Sequence, residues 1–106
     1  MIERSAIAEF FAMSGPLDGP RRWDFFFCDH VREKLERLVP PLRQLGYEIV
    51  SITEPNPRIH PPDLLWLRAR RVATHSADTL FSTCEQLDAL AKQARVESFD
   101  GFDVAD

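Results

Sequence analysis

The chain has 106 residues, the length of one domain with one hydrophobic core. Hydrophobic residues make up 44% of it and the formal net charge is −4, which excludes a disordered chain and disfavours a general nucleic-acid binder. No run of about 18 apolar residues is present, the first residues lack a secretion signal, and two cysteines do not make a disulfide framework. We therefore expect a cytoplasmic protein without a membrane span.

The first predicted element is a helix over residues 2–13. Apolar side chains recur at helical spacing along one of its faces, namely at Ile2, Ala6, Phe10 and Met13. Residues 14–16, Ser-Gly-Pro, predict its end, because glycine commonly follows a helix and proline cannot continue one.

Residues 23–28 give the strongest strand signal, because three consecutive phenylalanines are typical of a strand buried on both faces. We expect this strand to be central in its sheet. Asp29 follows it and is the expected N-cap of the next helix.

That helix is predicted over residues 31–45. Its apolar side chains form a stripe at spacings of three and four: Val31, Leu35, Leu38, Leu42 and Leu45. Pro40 cannot donate to the carbonyl four residues before it, so we expect a kink, or a restart of the helix at Pro41. Gly46 should end the helix, and residues 47–52 should follow as a strand.

Residues 54–62 contain four prolines and are predicted to be a loop. Such a segment can dock to an SH3-like partner, or it can simply be a stiff connection between two halves of a fold. We favour the connection, since loops of this kind usually serve that purpose.

The third predicted strand covers residues 64–73. Alternation places Leu65, Leu67 and Ala69 on one face and Trp66, Arg68 and Arg70 on the other. A last helix follows over residues 77–94, with Thr74 or Ser76 as its cap, and a last strand begins at Val96.

The order of elements is strand-helix-strand, repeated once. It predicts an α+β protein, a ferredoxin-like βαββαβ sandwich with an extra N-terminal helix. We expect a single domain over residues 1–106, with its βαββαβ body at residues 22–102. This fold has no default chemistry, so function has to come from particular side chains.

Five residues have side chains that can bind zinc: Cys28, His30, His60, His75 and Cys84. No recognised zinc-ligand spacing links them, so we expect two buried thiols and three surface or cap histidines. No nucleophile elbow or glycine-rich phosphate loop is present either. The sequence therefore predicts neither an enzyme nor a cofactor.

The candidate binding residues are Trp66, Arg68 and Arg70, which Phe26 of the neighbouring strand can join. An aromatic and arginine sheet face is how RNA-recognition modules stack bases, so a nucleic-acid-binding domain is the alternative function. We favour the other arrangement, in which the arginines pair with acidic side chains and the N-terminal helix covers Trp66 and Phe26. An open face or an edge strand could also pair with a second copy of the chain.

Three segments carry a resemblance to a known family: residues 46–49 (Gly-Tyr-Glu-Ile), residues 76–91, which open with Ser-Ala-Asp, and residues 96–102, which end in Phe-Asp-Gly-Phe. Together they resemble the family of regulator of ribonuclease E activity B, over about residues 23–102. The resemblance implies a non-catalytic protein that binds ribonuclease E and restrains RNA cleavage. It also implies an α+β sandwich with an added N-terminal helix, in which Asp100 and Gly101 form a turn.

Overall fold

The computed structural model describes residues 3–15, 17, 19–53 and 63–105, so the proline-rich segment 54–62 and His60 lie outside the described residues. The helices within these ranges are α1 (Arg4–Ser14), α2 (Arg32–Glu36), α3 (Val39–Gln44) and α4 (Ala77–Gln93). The strands are β1 (Arg21–Asp29), β2 (Glu48–Thr53), β3 (Leu65–Ala73) and β4 (Ser98–Ala105). None of these helices combines the length and the apolar character needed to cross a bilayer.

The four strands form one antiparallel sheet in the order β2-β3-β1-β4. The predicted α+β class is confirmed, and β1 is central as its phenylalanines indicated. Alternation along β1 gives the sheet two unlike faces. Trp23, Phe25 and Phe27 are fully buried on one face, which we call the helix face. The opposite face, to which Asp24 and Phe26 belong, is called the outer face.

The hydrophobic core lies between the helix face and the helices. Each helix contributes at least one buried side chain to it, namely Ile7, Leu35, Leu42, Leu80 and Leu87. Full burial of an aliphatic or aromatic side chain of this size contributes about 1.5–3 kcal/mol relative to its exposed state. The sheet is therefore covered on one side by helices, and the outer face is the side that presents polar groups.

Helix α1 is rotated relative to the predicted face. Ile7 is fully buried, and the rings of Phe10 and Phe11 both approach Trp23. Met13, which the predicted face included, is 89% exposed, so that face is wrong. Burying two adjacent aromatic rings outweighs burying one methionine, and this sets the rotation.

The predicted helix over residues 31–45 is two short helices, with a turn at residues 37–38. The restart is at Val39 and not at Pro41, so Pro40 and Pro41 lie in the first turn of α3. Neither proline has an N–H, and first-turn N–H groups lack intrahelical partners in any case. The first helix ends early because nothing at position 40 can donate to the carbonyl of Glu36.

Helices α3 and α4 end in the same way. After α3, the N–H of Tyr47 donates to Leu42 O, and Gly46 has a φ of 91°. After α4, the N–H of Val96 donates to Ala91 O, and Arg95 has a φ of 59°. Both are Schellman ends, with one residue in the left-handed region. The first uses glycine there, but the second uses arginine, which is strained.

The predicted caps have different outcomes. Ser76 is the N-cap of α4, since its hydroxyl accepts from the N–H of Thr79 while the Thr79 hydroxyl accepts from the N–H of Ser76. Asp29 is not the N-cap of α2, which begins after Val31. Its buried carboxylate accepts instead from two backbone N–H groups, those of Val31 and Glu97.

Both edge strands contain a β-bulge. In β4, Phe99 pairs with Phe27 and Phe102 pairs with Phe25, so Asp100 and Gly101 together lie opposite one residue of β1. The predicted turn at Asp100 and Gly101 is therefore wrong, and the strand continues to Ala105. The φ of Gly101 is 106°, a conformation that favours glycine in such a bulge. In β2 the extra residue is Val50.

Candidate functional site

Strand register places the candidate residues on the outer face in three cross-strand pairs. Asp24 lies opposite Arg70, Phe26 opposite Arg68, and Cys28 opposite Trp66. Side chains directly opposite each other in neighbouring strands interact, so the alternation of β1 and β3 builds this site. We call Asp24, Phe26, Trp66, Arg68 and Arg70 the Arg68 cluster. The predicted common face of Trp66, Arg68 and Arg70 is thus found in the structure.

Asp24 organises the charges of the cluster. Arg70 donates two hydrogen bonds to its carboxylate, from Nε at 2.7 Å and from Nη2 at 3.1 Å. Arg68 Nε lies 3.5 Å from the same carboxylate, as a longer ion pair. The hydrogen bond to Asp24 raises the pKa of Arg70 above its ordinary value. The expected pairing of these arginines with an acidic side chain is confirmed.

The aromatic part of the cluster is closely packed. The rings of Phe26 and Trp66 meet edge to face, with centroids 6.0 Å apart. The guanidinium carbon of Arg68 lies 5.0 Å from the centroid of the Phe26 ring. This is a cation–π arrangement, and it covers part of the ring surface that a nucleic-acid base would need.

Helix α1 does not cover this cluster, and that expectation is wrong. The helix packs against α4 on the helix face, and Phe10 contacts Trp23 and Phe102 there. Phe102 lies opposite Phe25, so it belongs to the helix face too. The aromatic side chains of α1 pack against the buried Trp23. The chain has two tryptophans, and residue type alone did not indicate which of them α1 would contact.

Arg71, next along the strand, points to the other side of the sheet. Its Nη1 donates to the carbonyl of Leu45 at 3.1 Å, and its guanidinium carbon lies 4.4 Å from the centroid of the Tyr47 ring. A cation at this position binds the free carbonyl end of α3 and interacts favourably with the helix dipole. Arg71 is therefore a helix-stabilising residue, and of the three arginines in β3 only Arg68 and Arg70 belong to the Arg68 cluster.

The two thiols are both buried, as expected. The Cys28 sulfur lies 2.8 Å from Ser98 Oγ on the outer face, while Cys84 is in the core. Burial raises the pKa of the Cys84 thiol to about 12. It also raises the pKa of Cys28. Neither thiol is activated, since an activated nucleophile needs a lowered pKa.

The described histidines do not approach these thiols. Exposed His30 pairs through Nδ1 with Glu97 Oε2 at 2.7 Å. His75 was expected at the surface or in a cap, but it is buried, with Nδ1 3.1 Å from Thr79 Oγ1. The indole of Trp23 packs edge to face against its ring and accounts for this burial. Within the described ranges, no group of three or more His, Cys, Asp and Glu side chains is arranged to hold a metal.

In the part of the chain that the structure describes, two concavities lie among the helices and away from the outer face. One, of about 330 Å³, is between α3 and α4 and is lined by Pro41, Gln44, Leu45, Gln86, Ala89, Leu90 and Gln93. The other, of about 460 Å³, lies beside the start of α4 and is lined by Phe11, Leu17, Gly19, Thr74, His75, Ser76 and Ala77. Both linings consist of apolar and uncharged polar side chains together with His75, so the charged candidate site is the Arg68 cluster.

Sequence reasoning missed Asp24, the residue that holds the two arginines. The signal was present, because an aspartate inside a strongly apolar strand has to be paired or hydrogen-bonded when it is buried. Asp24 is two residues before Phe26 in the same strand, so alternation places both side chains on the face that was expected to hold Arg68 and Arg70. What the sequence could not supply was the register of β1 against β3.

Comparison with known proteins assigns the chain to a family. No curated protein matches the chain. A family model described as regulator of ribonuclease activity B matches residues 3–104, which include all eight helices and strands except the last residue of β4. This confirms the resemblance seen in the sequence. The chain belongs to the regulator of ribonuclease activity B family.

Proposed function

We propose that this protein regulates a ribonuclease by binding it, without catalysing a reaction of its own, and that ribonuclease E is the partner. The observation that carries the proposal is the family match over residues 3–104. A regulatory role in ribonuclease activity follows from that membership. Direct binding, the identity of the partner and a cytoplasmic location are the parts that we add.

The proposed scaffold is a ferredoxin-like sandwich. The strand order β2-β3-β1-β4 with antiparallel pairing supports it, as do helices between β1 and β2 and between β3 and β4. In such a sandwich the helices cover one sheet face and the other remains available to a partner. In this scaffold the outer face is therefore the surface that a partner would contact.

The proposed contact residues are Trp66, Arg68 and Arg70. Aromatic residues and arginine are the side chains most often found at the energetic centres of protein interfaces. Here Arg70 is held by two hydrogen bonds to Asp24, and Arg68 is held against Phe26. Side chains that are already fixed lose less entropy on binding.

Nucleic-acid binding is the alternative, and two features of the outer face disfavour it. The Phe26 ring is engaged by Arg68 on its face and by Trp66 in an edge-to-face contact, so it offers little surface for base stacking. The net charge of −4 also repels a polyanion. Protein binding is favoured for these reasons.

The test is a binding assay with purified ribonuclease E immobilised on a sensor surface at physiological salt. We expect saturable binding, together with slower cleavage of a fluorescent RNA substrate when this protein is added. If ribonuclease E is neither retained nor slowed at any protein concentration below precipitation, the proposed function is wrong.

A parallel titration with single-stranded RNA at two salt concentrations tests the alternative. Phosphate contacts release counterions, so true RNA binding would weaken steeply as salt rises. Trp23 is fully buried in the core, so a fluorescence change would report on Trp66. We expect no saturable change with RNA.

A further inference from the structure

The two arginines of the Arg68 cluster are unequally neutralised. Arg70 lies between two acidic cross-strand neighbours, Asp24 on β1 and Glu48 on β2. Arg68 lies between Phe26 on β1 and Ser51 on β2, neither of which is charged. Arg70 therefore has its counter-ions within the sheet, whereas Arg68 shares only the longer contact of 3.5 Å to Asp24.

Arg68 is also held ready for a ligand. Its guanidinium lies over the Phe26 ring, and its side chain remains 41% exposed. Within the described part of the chain, its guanidinium donates no hydrogen bond, and its ion pair with Asp24 has an Nε–oxygen distance of 3.5 Å. A planar guanidinium with free N–H groups binds a carboxylate through two parallel hydrogen bonds.

The rest of the outer face restricts which anion can approach. Asp100 and Asp103 are exposed, and both lie on this face, in β4. The row across the sheet at this level runs from Arg68 over Phe26 to Asp100, so a cation and an anion flank one aromatic ring. Strands are about 4.8 Å apart, which puts the Cα atoms of Arg68 and Asp100 about 10 Å from each other.

The geometry points to a binding site for one carboxylate at Arg68, provided by a mixed-charge segment of the protein partner. The same segment places a lysine or arginine at Asp100, about 10 Å away, and an apolar side chain at Trp66. Asp100 and Asp103 repel polyanions, so neither RNA nor a run of acidic residues satisfies this surface. This inference rests on the proposed function, because it describes the partner of that function.

The first experiment uses a peptide probe and does not depend on ribonuclease E. The probe is a blocked peptide containing Glu-Ala-Leu-Ala-Lys, in which Glu, Leu and Lys share one face of an extended chain and the Cα atoms of Glu and Lys are about 13 Å apart. The matched control contains Gln-Ala-Leu-Ala-Gln. We expect the arginine Nε–H NMR signal of Arg68 to shift with the charged peptide at concentrations that leave the signal of exposed Arg37 unchanged.

If the signals of Arg68 and Arg37 move together, or if the neutral peptide acts equally well, the carboxylate site is wrong. The same holds if an oligouridine RNA shifts Arg68 at lower concentration than the charged peptide does. An Asp100→Asn variant should weaken the charged peptide and strengthen the RNA, since it removes the anion that pairs with lysine and repels phosphate.

The second experiment measures the affinity of four variants for ribonuclease E. Arg68→Gln should weaken binding by about tenfold, the loss expected for one charge-assisted interaction. Asp24→Asn should weaken binding less than Arg68→Gln does, because it removes a residue that positions the guanidiniums and leaves both guanidiniums present. Arg37→Gln, which changes an exposed arginine outside the sheet, should bind like the wild type. Arg68→Lys should recover only part of the affinity, since lysine cannot bind a carboxylate in bidentate fashion.

The two experiments separate the two proposals. If ribonuclease E binds neither the wild type nor any variant while the peptide shifts Arg68, the proposed function fails and the carboxylate site stands. If ribonuclease E binds the wild type and Arg68→Gln equally, the site is wrong and the proposed function stands. A larger loss of binding in Asp24→Asn than in Arg68→Gln, with an unchanged circular dichroism spectrum, would also overturn the site, because it would assign Asp24 a direct contact.

Discussion

Asp29 is hydrogen-bonded to Glu97, and its neighbour His30 is hydrogen-bonded to the same residue in the opposite direction. The backbone N–H of Glu97 donates to Asp29 Oδ2 at 2.9 Å, and the Glu97 carboxylate accepts from the backbone N–H of His30 at 2.6 Å. Asp29 Oδ1 also accepts from the N–H of Val31 at 2.7 Å. The end of β1 is thereby attached to the segment that leads into β4, and Asp29 is almost fully buried at this junction.

The first prediction concerns this junction. Asp29→Ala should lower the free energy of unfolding by about 2 kcal/mol, because it leaves two partly buried backbone N–H groups without their acceptor. Glu97→Gln keeps an acceptor at an exposed position, so it should cost less than about 0.5 kcal/mol. Urea denaturation followed by circular dichroism measures both values. Equal losses in the two variants would show that the buried carboxylate has no special role.

The second prediction uses the two Schellman ends as a matched pair. Arg95→Gly should raise the free energy of unfolding by about 1 kcal/mol, since a left-handed φ is costly for any residue that has a Cβ. Gly46→Ala should lower it by about 1 kcal/mol for the same reason. A Cβ at position 46 would meet its nearest atom, Arg71 Cδ, at 3.9 Å, so steric overlap adds nothing.

Thermal unfolding of the two variants checks this pair. Opposite shifts of the midpoint are expected, upward for Arg95→Gly and downward for Gly46→Ala. Shifts in the same direction would mean that the side chain of Arg95 makes a contribution larger than its backbone strain.

The third prediction is a pH dependence due to His75. Burial and, to a smaller extent, the nearby Arg71 lower the pKa of His75 from its ordinary value of 6.5. The unfolded chain therefore binds this proton more readily than the native protein does. Stability from neutral His75 is complete above pH 6.5 and declines as the pH falls from 6.5 towards the lowered value.

Chemical denaturation at pH 7.5 and at pH 5.5 tests this dependence. The wild type should lose stability between the two values, and His75→Gln should lose less over the same interval, although it is less stable at pH 7.5. An identical loss in both proteins would assign the pH dependence to other groups.

The fourth prediction is that Cys84 is protected from alkylation. With a pKa of about 12 instead of 9.0, its thiolate fraction at pH 8 is lower by about a thousandfold. Iodoacetamide should modify Cys84 in the native protein only at the rate of unfolding. Peptide mass spectrometry with and without urea measures the ratio, and rapid native labelling of Cys84 would contradict the described core.

Much of this architecture could be predicted from the sequence. The phenylalanine run of β1 indicated a central strand, and alternation in β3 separated Trp66, Arg68 and Arg70 from Leu67. These predictions succeeded because the periodicity of a buried strand follows directly from its backbone geometry.

Other features depend on contacts that sequence spacing does not contain. The rotation of α1 was wrong because the position of Trp23 decided it, and the turn at Gly101 was wrong because a glycine in a bulge looks like one in a turn. The organising role of Asp24 required the register of two strands that are distant in sequence. Local signals thus predicted the elements, and long-range pairing determined the site.

The bulges at Val50 and Gly101 have a consequence for behaviour at high protein concentration. A regular strand of another molecule pairs residue for residue with the strand beside it. An extra residue in an edge strand breaks this one-to-one pairing. Each edge of this sheet carries such an interruption near its middle. Edge-to-edge growth into ordered fibrils is therefore disfavoured on both sides of the sheet. The chain can keep its aromatic and arginine-bearing outer face exposed without polymerising through its edge strands.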